Sequence, residues 1–160
     1  MSVKESIREE IRIRPMTRED VDEVSRIEEA CFSMPWSRKS FWEMAEAPDA
    51  RYLVAELTHD GKSSVRLAGV CGVLNMAGDG NITNVAVREE YRGRGIAARL
   101  MRRLLADAEA AGMRAFTLEV RASNTAAIRL YEKLGFTGEG YRPNFYEKPT
   151  EDALIMWRRT

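Results

Sequence analysis

Asn84 to Met101 reads NVAVREEYRGRGIAARLM. It opens with the end of an apolar strand, Ile82 to Val87, and passes through a short charged turn. Then come Arg92-Gly93-Arg94-Gly95-Ile96-Ala97-Ala98 and a helical pattern, with Ile96, Leu100, Leu104 and Ala108 at spacings of four. A glycine-rich loop at a helix start leaves backbone N–H groups unpaired. Glycine lets that backbone approach a ligand closely. The helix dipole adds partial positive charge, so the site suits a phosphate or diphosphate. Arg92 and Arg94 place full charges beside it. The stretch predicts an anion cradle between a strand and a helix; a basic, solvated helix start with glycines in a tight turn is the alternative.

The cradle is not of the Walker type, which ends in Gly-Lys-Ser/Thr where this chain has Ile96-Ala97. Gly93-Arg94-Gly95-Ile96-Ala97-Ala98 imitates part of a dinucleotide fingerprint, but it does not lie in a first βα unit. The spacing Arg92-x-x-Gly95-x-Ala97 after a Val-Ala-Val strand resembles the coenzyme A loop of the GCN5-related N-acetyltransferases (GNAT).

With 160 residues, 44% of them hydrophobic, the chain can form one domain with a sizeable core. Residues 11–160 are expected to form it, with 1–10 as a flexible N-terminal extension. Charge is balanced, 25 basic against 25 acidic residues, so no global field points to nucleic acid or an acidic membrane. No apolar run approaches the roughly 18 residues of a spanning helix. The charged SVKESIREE start is no signal peptide, and the expected location is cytoplasmic. Cys31 and Cys71 have no metal-type neighbours and read as buried, reduced thiols. The one histidine, His59, falls in the hairpin-turn signal Thr58-His59-Asp60-Gly61-Lys62 and is expected in a solvated loop. No metal site can be assembled.

Alternation predicts a strand over Ile11 to Pro15. Thr17 to Asp20 reads as a helix cap, and Val21, Val24, Ile27 and Cys31 as the apolar face that follows. Ser37 can cap a second helix, ending before Pro48, with Trp36 and Phe41 as a hydrophobic staple. Arg51 to Leu57 and Val65 to Leu74 read as a hairpin, and Gly78-Asp79-Gly80 as the next turn. Gly112 stops the long helix. Ala115 to Arg121 is a strand, and Asn124 to Leu134 a helix closed by Gly135. Gly138 to Tyr141 and Ala153 to Trp157 are the last strands, around a loop holding Pro143, Asn144 and Pro149. The order is β-α-α-β-β-β-α-β-α-β-β.

Acetyl transfer from a thioester to an amine requires a base for the amine, donors for the oxyanion and a proton or positive field for the leaving thiolate. Alternation puts Phe116, Leu118 and Val120 on one face of their strand and Thr117, Glu119 and Arg121 on the other. Glu119, near the strand's C-terminal end, is a candidate base, although periodicity alone favours a solvated glutamate paired with Arg121. Asn124 and Tyr131 lie two turns apart on one helix face. Pattern alone makes Asn124 a cap and Tyr131 a core aromatic. A tyrosine is also a plausible acid for a thiolate, since its ordinary pKa, near 10, exceeds that of a thiol.

Leu118-Glu119-Val120-Arg121-x-Ser123-Asn124-x-x-Ala127-x-x-Leu130-Tyr131-x-x-Leu134-Gly135-Phe136 closely resembles the bacterial RimI-type ribosomal-protein alanine N-acetyltransferases. So do Phe32-x-x-Pro35-Trp36-Ser37 and Tyr146-x-x-x-x-Glu151-Asp152-Ala153-x-x-Met156. The resemblance, which runs from Ile11 onward, implies a GNAT fold of mixed α/β type, with a mostly antiparallel central sheet flanked by helices. It implies Glu119 as general base and Tyr131 as general acid. Asn124 would contact coenzyme A, backbone of Val85, Ala86 and Val87 would pair with the pantetheine arm, and backbone from Gly93 to Ala98 would hold the diphosphate. Acetyl-CoA would be the cosubstrate, without a metal. The acceptor would be the N-terminal alanine of a ribosomal protein tail; Met34, Pro35 and Tyr146, on loops expected to flank the amine entry, are expected to wall a pocket for its small side chain. Phe145 stands where the family commonly has a second tyrosine. Two other readings remain: an acetyltransferase for lysine or small amines, and a non-catalytic acyl-CoA-binding or interaction module.

Overall fold

In a computed structural model of the chain, residues 9–59 and 62–159 are described. Their elements are β1 (Glu9–Pro15), α1 (Val21–Cys31), α2 (Arg38–Met44), β2 (Ala50–His59), β3 (Lys62–Met76), β4 (Asp79–Val87), α3 (Ile96–Ala110), β5 (Ala115–Arg121), α4 (Thr125–Lys133), β6 (Thr137–Tyr146) and β7 (Glu151–Arg159). The order is the one read from the sequence, with 3₁₀ turns at Arg18–Asp20 and Glu89–Tyr91 added before α1 and α3.

The strands form one sheet in the order β1-β2-β3-β4-β5-β7-β6. Every neighbouring pair is antiparallel except β4 and β5, which are parallel. Helices cover both faces. Val21, Val24 and Ile27 of α1 and Phe41 of α2 pack on Tyr52, Val54, Val70 and Ala86. On the other face Ile96, Leu100, Met101, Leu104 and Ala108 of α3 meet Leu53, Ala55, Leu57 and Cys71, joined by Tyr131 of α4 and Phe136. Alternate residues of β2 therefore serve two cores, and Tyr52 through Leu57 are all buried. The expected devices at helix ends are present. Ser37 Oγ accepts from Ser40 N–H at 3.1 Å, and the Trp36 and Phe41 rings lie 5.5 Å apart. Gly135 follows α4 at φ +95°.

One irregularity of the sheet makes the site. β4 and β5 pair only at Gly80 with Phe116 and Asn81 with Thr117. Beyond these two pairs the strands part, and a wedge opens toward Val87 and Arg121. The departure begins at a bulge: Val73 of β3 faces Ile82, yet its neighbour Gly72 faces Asn84, so Thr83 is one residue too many on β4. A bulge bends its strand and strengthens the local twist.

Other differences from the sequence reading have local causes. β1 begins at Glu9 rather than Ile11, because Glu9 and Glu10 are opposite His59 and Thr58. The expected extension otherwise lies outside the described residues. His59 closes β2 rather than lying in a loop; its side chain is exposed. The β3–β4 turn is Ala77-Gly78, at φ +56° and +96°, not Gly78-Asp79-Gly80. Positive φ at both central residues is the primed turn that matches strand twist, and Asn75 Oδ1 takes the Gly78 N–H at 2.9 Å. Pro143 and Asn144 lie inside β6, not in a loop. β6 is an edge strand, which tolerates proline, and its register slips between Arg142 and Tyr146.

Candidate active site

The wedge widens into a cleft of about 540 Å³ between β4, β5, the α1–α2 loop and the end of β6. Lining it are Asn81 to Val85 from β4, Leu118 to Arg121 from β5, and Asn124 and Tyr131 from α4 with its cap. Phe32, Ser33 and Met34 come from the α1–α2 loop, and Phe145 and Tyr146 from β6. Topology thus brings Val85, Glu119, Asn124, Tyr131, Met34 and Tyr146 to one cavity. Pro35 is exposed and does not line it.

Glu119 sits on the half-buried face of β5, as its alternation demands. It does not pair with Arg121. That guanidinium donates to Glu151 Oε1 at 3.2 Å, to the carbonyls of Glu147 and Pro149 at 2.8 and 2.9 Å, and to Ser33 Oγ at 3.1 Å. It also lies over the Tyr146 ring, 4.6 Å from the centroid. Among the described residues Glu119 has no ion-pair partner.

Tyr131 is 8% exposed and packs edge-on against Phe136 at 6.0 Å, so it is the core aromatic that periodicity expects. The residue nevertheless lines the cleft, and its hydroxyl has no hydrogen-bond partner among the described residues. Burial, and then the charge of Tyr146, push its pKa well above the ordinary phenol value. Tyr146 is pushed up to about 12, by burial first and then by the Glu119 carboxylate. Tyr146 thus lies within electrostatic reach of both Tyr131 and Glu119. Asn124 is the expected cap: its Oδ1 accepts from Ala127 N–H at 3.2 Å, which leaves the amide N–H groups to the cleft it borders.

The glycine loop leads directly into α3. Gly93 and Gly95 have φ +78° and +76°, and a Cβ at either would meet nothing within 4 Å, so open space lies in front of the loop. Gly95 is the N-cap of α3, whose first turn carries no acidic residue. The first-turn N–H groups of Ile96, Ala97 and Ala98 have no acceptor inside the helix. Arg92 departs from expectation. Its Nε donates to Val87 O at 3.0 Å, and its Nη2 lies 3.4 Å from Cys31 Sγ, so the side chain pins the end of β4. Strand alternation sharpens the role of Val85 to Val87. Arg88 N–H donates to Ala68 O of β3 at 2.8 Å, so the backbone groups of Ala86 also face β3, while those of Val85 and Val87 face the wedge. Cys31 is half-buried rather than buried; Cys71 is buried, and burial pushes its thiol up.

Sequence reasoning missed one group. Glu28 of α1 is 3% exposed and borders the cleft. It accepts the Trp36 N–H at 3.0 Å and both its oxygens take the Asn84 amide, at 3.1 and 3.2 Å. Burial raises its pKa, against those N–H donors. The signal was present: Glu28 follows Val21 and Val24 by seven and four residues, a charge on the apolar stripe.

The sheet is thus parted beside a glycine-rich helix start, with a carboxylate and a phenol lining the gap. Residues 21–136 match the acetyltransferase (GNAT) family, and the chain belongs to it. A Bacillus subtilis protein that carries the provisional name [ribosomal protein bS18]-alanine N-acetyltransferase is 42% identical over 91% of this chain and 93% of its own. The Escherichia coli K12 protein named [ribosomal protein bS18]-alanine N-acetyltransferase is 37% identical over 86% and 89%. A crystal structure of the ribosomal-protein-S18-alanine N-acetyltransferase from Escherichia coli superposes with a TM-score of 0.81, at 31% identity over 94% of both chains. The RimI-type resemblance and the mixed, mostly antiparallel GNAT fold are as the sequence implied, and the protein is an acetyltransferase. Among the described residues no helix is long and apolar enough to cross a membrane.

Proposed function

We propose that the chain moves an acetyl group from acetyl-CoA to the N-terminal α-amine, with alanine first, of a ribosomal protein tail. The reaction is direct transfer, and no protein thiol carries the acyl group. The observation that carries this reading is the shared cleft, which Glu119 and Tyr131 both line, the carboxylate without an ion-pair partner and the hydroxyl without a hydrogen-bond partner among the described residues. The names of the relatives support the acceptor.

The residues present fit the coenzyme. Backbone of Gly93 to Ala98 meets the diphosphate, assisted by Arg94, while Arg92 holds the strand end from which the loop springs. Val85 offers its wedge-side backbone, and Val87 its N–H, to an extended amide arm, with Ala86 as the spacer between them. The Asn124 amide reaches the same arm. Acetyl-CoA, the acyl donor of this family, supplies a thioester open to attack by an amine. Glu119 takes the proton of the acceptor amine at a carboxylate oxygen, directly or through water. Tyr131, kept protonated by its raised pKa, gives its hydroxyl proton to the departing sulfur. Met34 and Tyr146 wall the acceptor side, where a small first side chain fits.

A peptide α-amine has a pKa near 8, against roughly 10.4 for a lysine side chain, so a carboxylate deprotonates it more easily at neutral pH. Peptides that begin with alanine are expected to exceed their N-blocked, lysine-bearing versions and spermidine by at least about 10-fold in kcat/KM. Equal or better rates on the blocked lysine peptides would replace the α-amine with a lysine acceptor. Coenzyme binding with no turnover on any amine would leave a binding module.

A further inference from the structure

The cleft has two walls that belong to different parts of the chain. The acceptor wall is the α1–α2 loop with Met34, and the donor wall is β4 with its bulge at Thr83. Between them lies a line of buried and half-buried polar groups that no step of the transfer uses. Thr83 Oγ1 lies 2.5 Å from Tyr52 Oη, and Tyr52 O–H donates to Asn84 Oδ1 at 2.9 Å. The Asn84 amide donates to Glu28, and Glu28 accepts the Trp36 N–H. The Tyr52 ring reaches this place because residue 72 is glycine: a Cβ there would stand 2.3 Å from the ring.

The geometry points to Glu28 as a positioning residue that sets the acceptor wall against the donor wall. Trp36 follows Met34 by two residues, and since Pro35 has no N–H, the Trp36 N–H is the first backbone donor after that wall. Asn84 is next to the bulge residue and one before Val85. One carboxylate thus fixes the distance between the loop that receives the amine and the strand that receives the acyl arm. Both of its partners donate: Oε2 takes the Trp36 N–H and the Asn84 amide together, and Oε1 also faces the Asn84 amide, so a donor in the place of Oε1 would oppose it. An ordinary buried polar residue would need satisfying; among the described residues the side-chain partners of this one come solely from the two walls. A 1 Å error between such walls is costly, because transfer needs the reacting atoms aligned. The inference rests on the acceptor binding at that loop, as proposed above.

The test uses two variants of the whole chain. Glu28→Gln keeps the shape but sets its amide against the Asn84 amide, unless Asn84 turns over and loses the Tyr52 hydroxyl. The exchange Glu28→Gln with Asn84→Asp restores an acceptor to every donor. The new amide at position 28 gives to the new carboxylate at position 84, which also accepts the Tyr52 hydroxyl. The Trp36 N–H then gives to the amide carbonyl at position 28. Glu28→Gln is expected to raise the KM of the best α-amine peptide by about 10-fold or more, with kcat within about 3-fold and acetyl-CoA affinity unchanged. Hydrogen exchange of the Trp36 amide in the ligand-free protein should accelerate by about 10-fold or more. The paired exchange should return both to within about 3-fold of the parent. Unchanged KM and unchanged amide exchange in Glu28→Gln would overturn the inference. So would a fall in kcat with an altered pH profile that the paired variant leaves in place, since the charge at position 28 would then move protons itself. If Glu28→Gln does not fold, the parent decides: a Trp36 amide that exchanges as fast as the exposed loop before it refutes the anchor. Amide exchange is read without any acceptor, so its outcome stands even if the α-amine assignment fails.

Discussion

Glu119 and Tyr131 show how far a residue's neighbours decide its chemistry. Strand alternation and helical spacing placed both correctly in space but favoured the bland roles, a solvated glutamate and a core aromatic. The structure keeps half of each. Tyr131 is in the core, yet its hydroxyl has no partner there among the described residues; Glu119 is on the polar face, yet its supposed partner Arg121 is held by Ser33, Glu147, Pro149 and Glu151. Partners distant in sequence removed the bland reading, and periodicity within one strand cannot see them. Glu119→Gln should lower kcat by about 100-fold or more at neutral pH while coenzyme affinity barely moves. Turnover equal to the parent from pH 6 to 9 would return Glu119 to a bystander. Tyr131→Phe deletes a hydroxyl that bonds to nothing described, so stability should change by only about 1 kcal/mol while kcat falls. The raised pKa of this phenol has a definite sign. A proton donor so shifted stays loaded, so the kcat profile of the parent should climb as the acceptor amine loses its proton and then stay flat to about pH 10. A descending limb at lower pH would argue against Tyr131 as the acid.

Elements were more legible than residues. The strand–cradle–helix unit, β5 and α4 with its cap were all readable, because each carries a local device: glycine at positive φ, alternation, or a capping asparagine. What escaped were features set by pairing with distant strands. The bulge at Thr83 and the passage of β6 through Pro143 have no local signature, since they depend on what lies alongside. The cradle supports a clear prediction. Gly95→Arg puts a side chain at φ +76° into the open space before the loop. It should cost about 1–2 kcal/mol of stability and abolish coenzyme binding in titration calorimetry. Undiminished affinity in the folded variant would remove the loop from the donor site. Arg121 ties three elements together and should matter to the acceptor alone. Arg121→Gln is expected to raise peptide KM by about 10-fold and to leave coenzyme affinity unchanged, with stability down by about 1–2 kcal/mol. A matching loss of coenzyme affinity would show that it acts on the sheet rather than on the loops around the amine.

At the scale of the molecule the sheet is two blades, β1 to β4 and β5 to β7, joined through two residue pairs. A ligand that fills the gap binds the folded state alone. Acetyl-CoA at about 100 times its Kd should therefore add roughly 2.7 kcal/mol to stability, readable as a rise in Tm. Gly95→Arg should cancel that rise, and a rise that survives in the variant would place the ligand elsewhere. The parted seam also bears on aggregation. An unpaired strand edge is a template on which foreign chains assemble. The outer margins of this sheet are blunted in the usual way, β1 by Arg12, Arg14 and Pro15 and β6 by Pro143. The free margin of β4 has no such blunting along Val85 to Val87. Its protection is its location: it runs down a wedge that closes at Asn81 and Thr117, and its last carbonyl is already taken by Arg92. A slender extended arm can slide in there, but another sheet cannot be laid alongside. The protein can thus keep an open ladder without the fibre-forming hazard that an equal length of bare strand would carry on its outside.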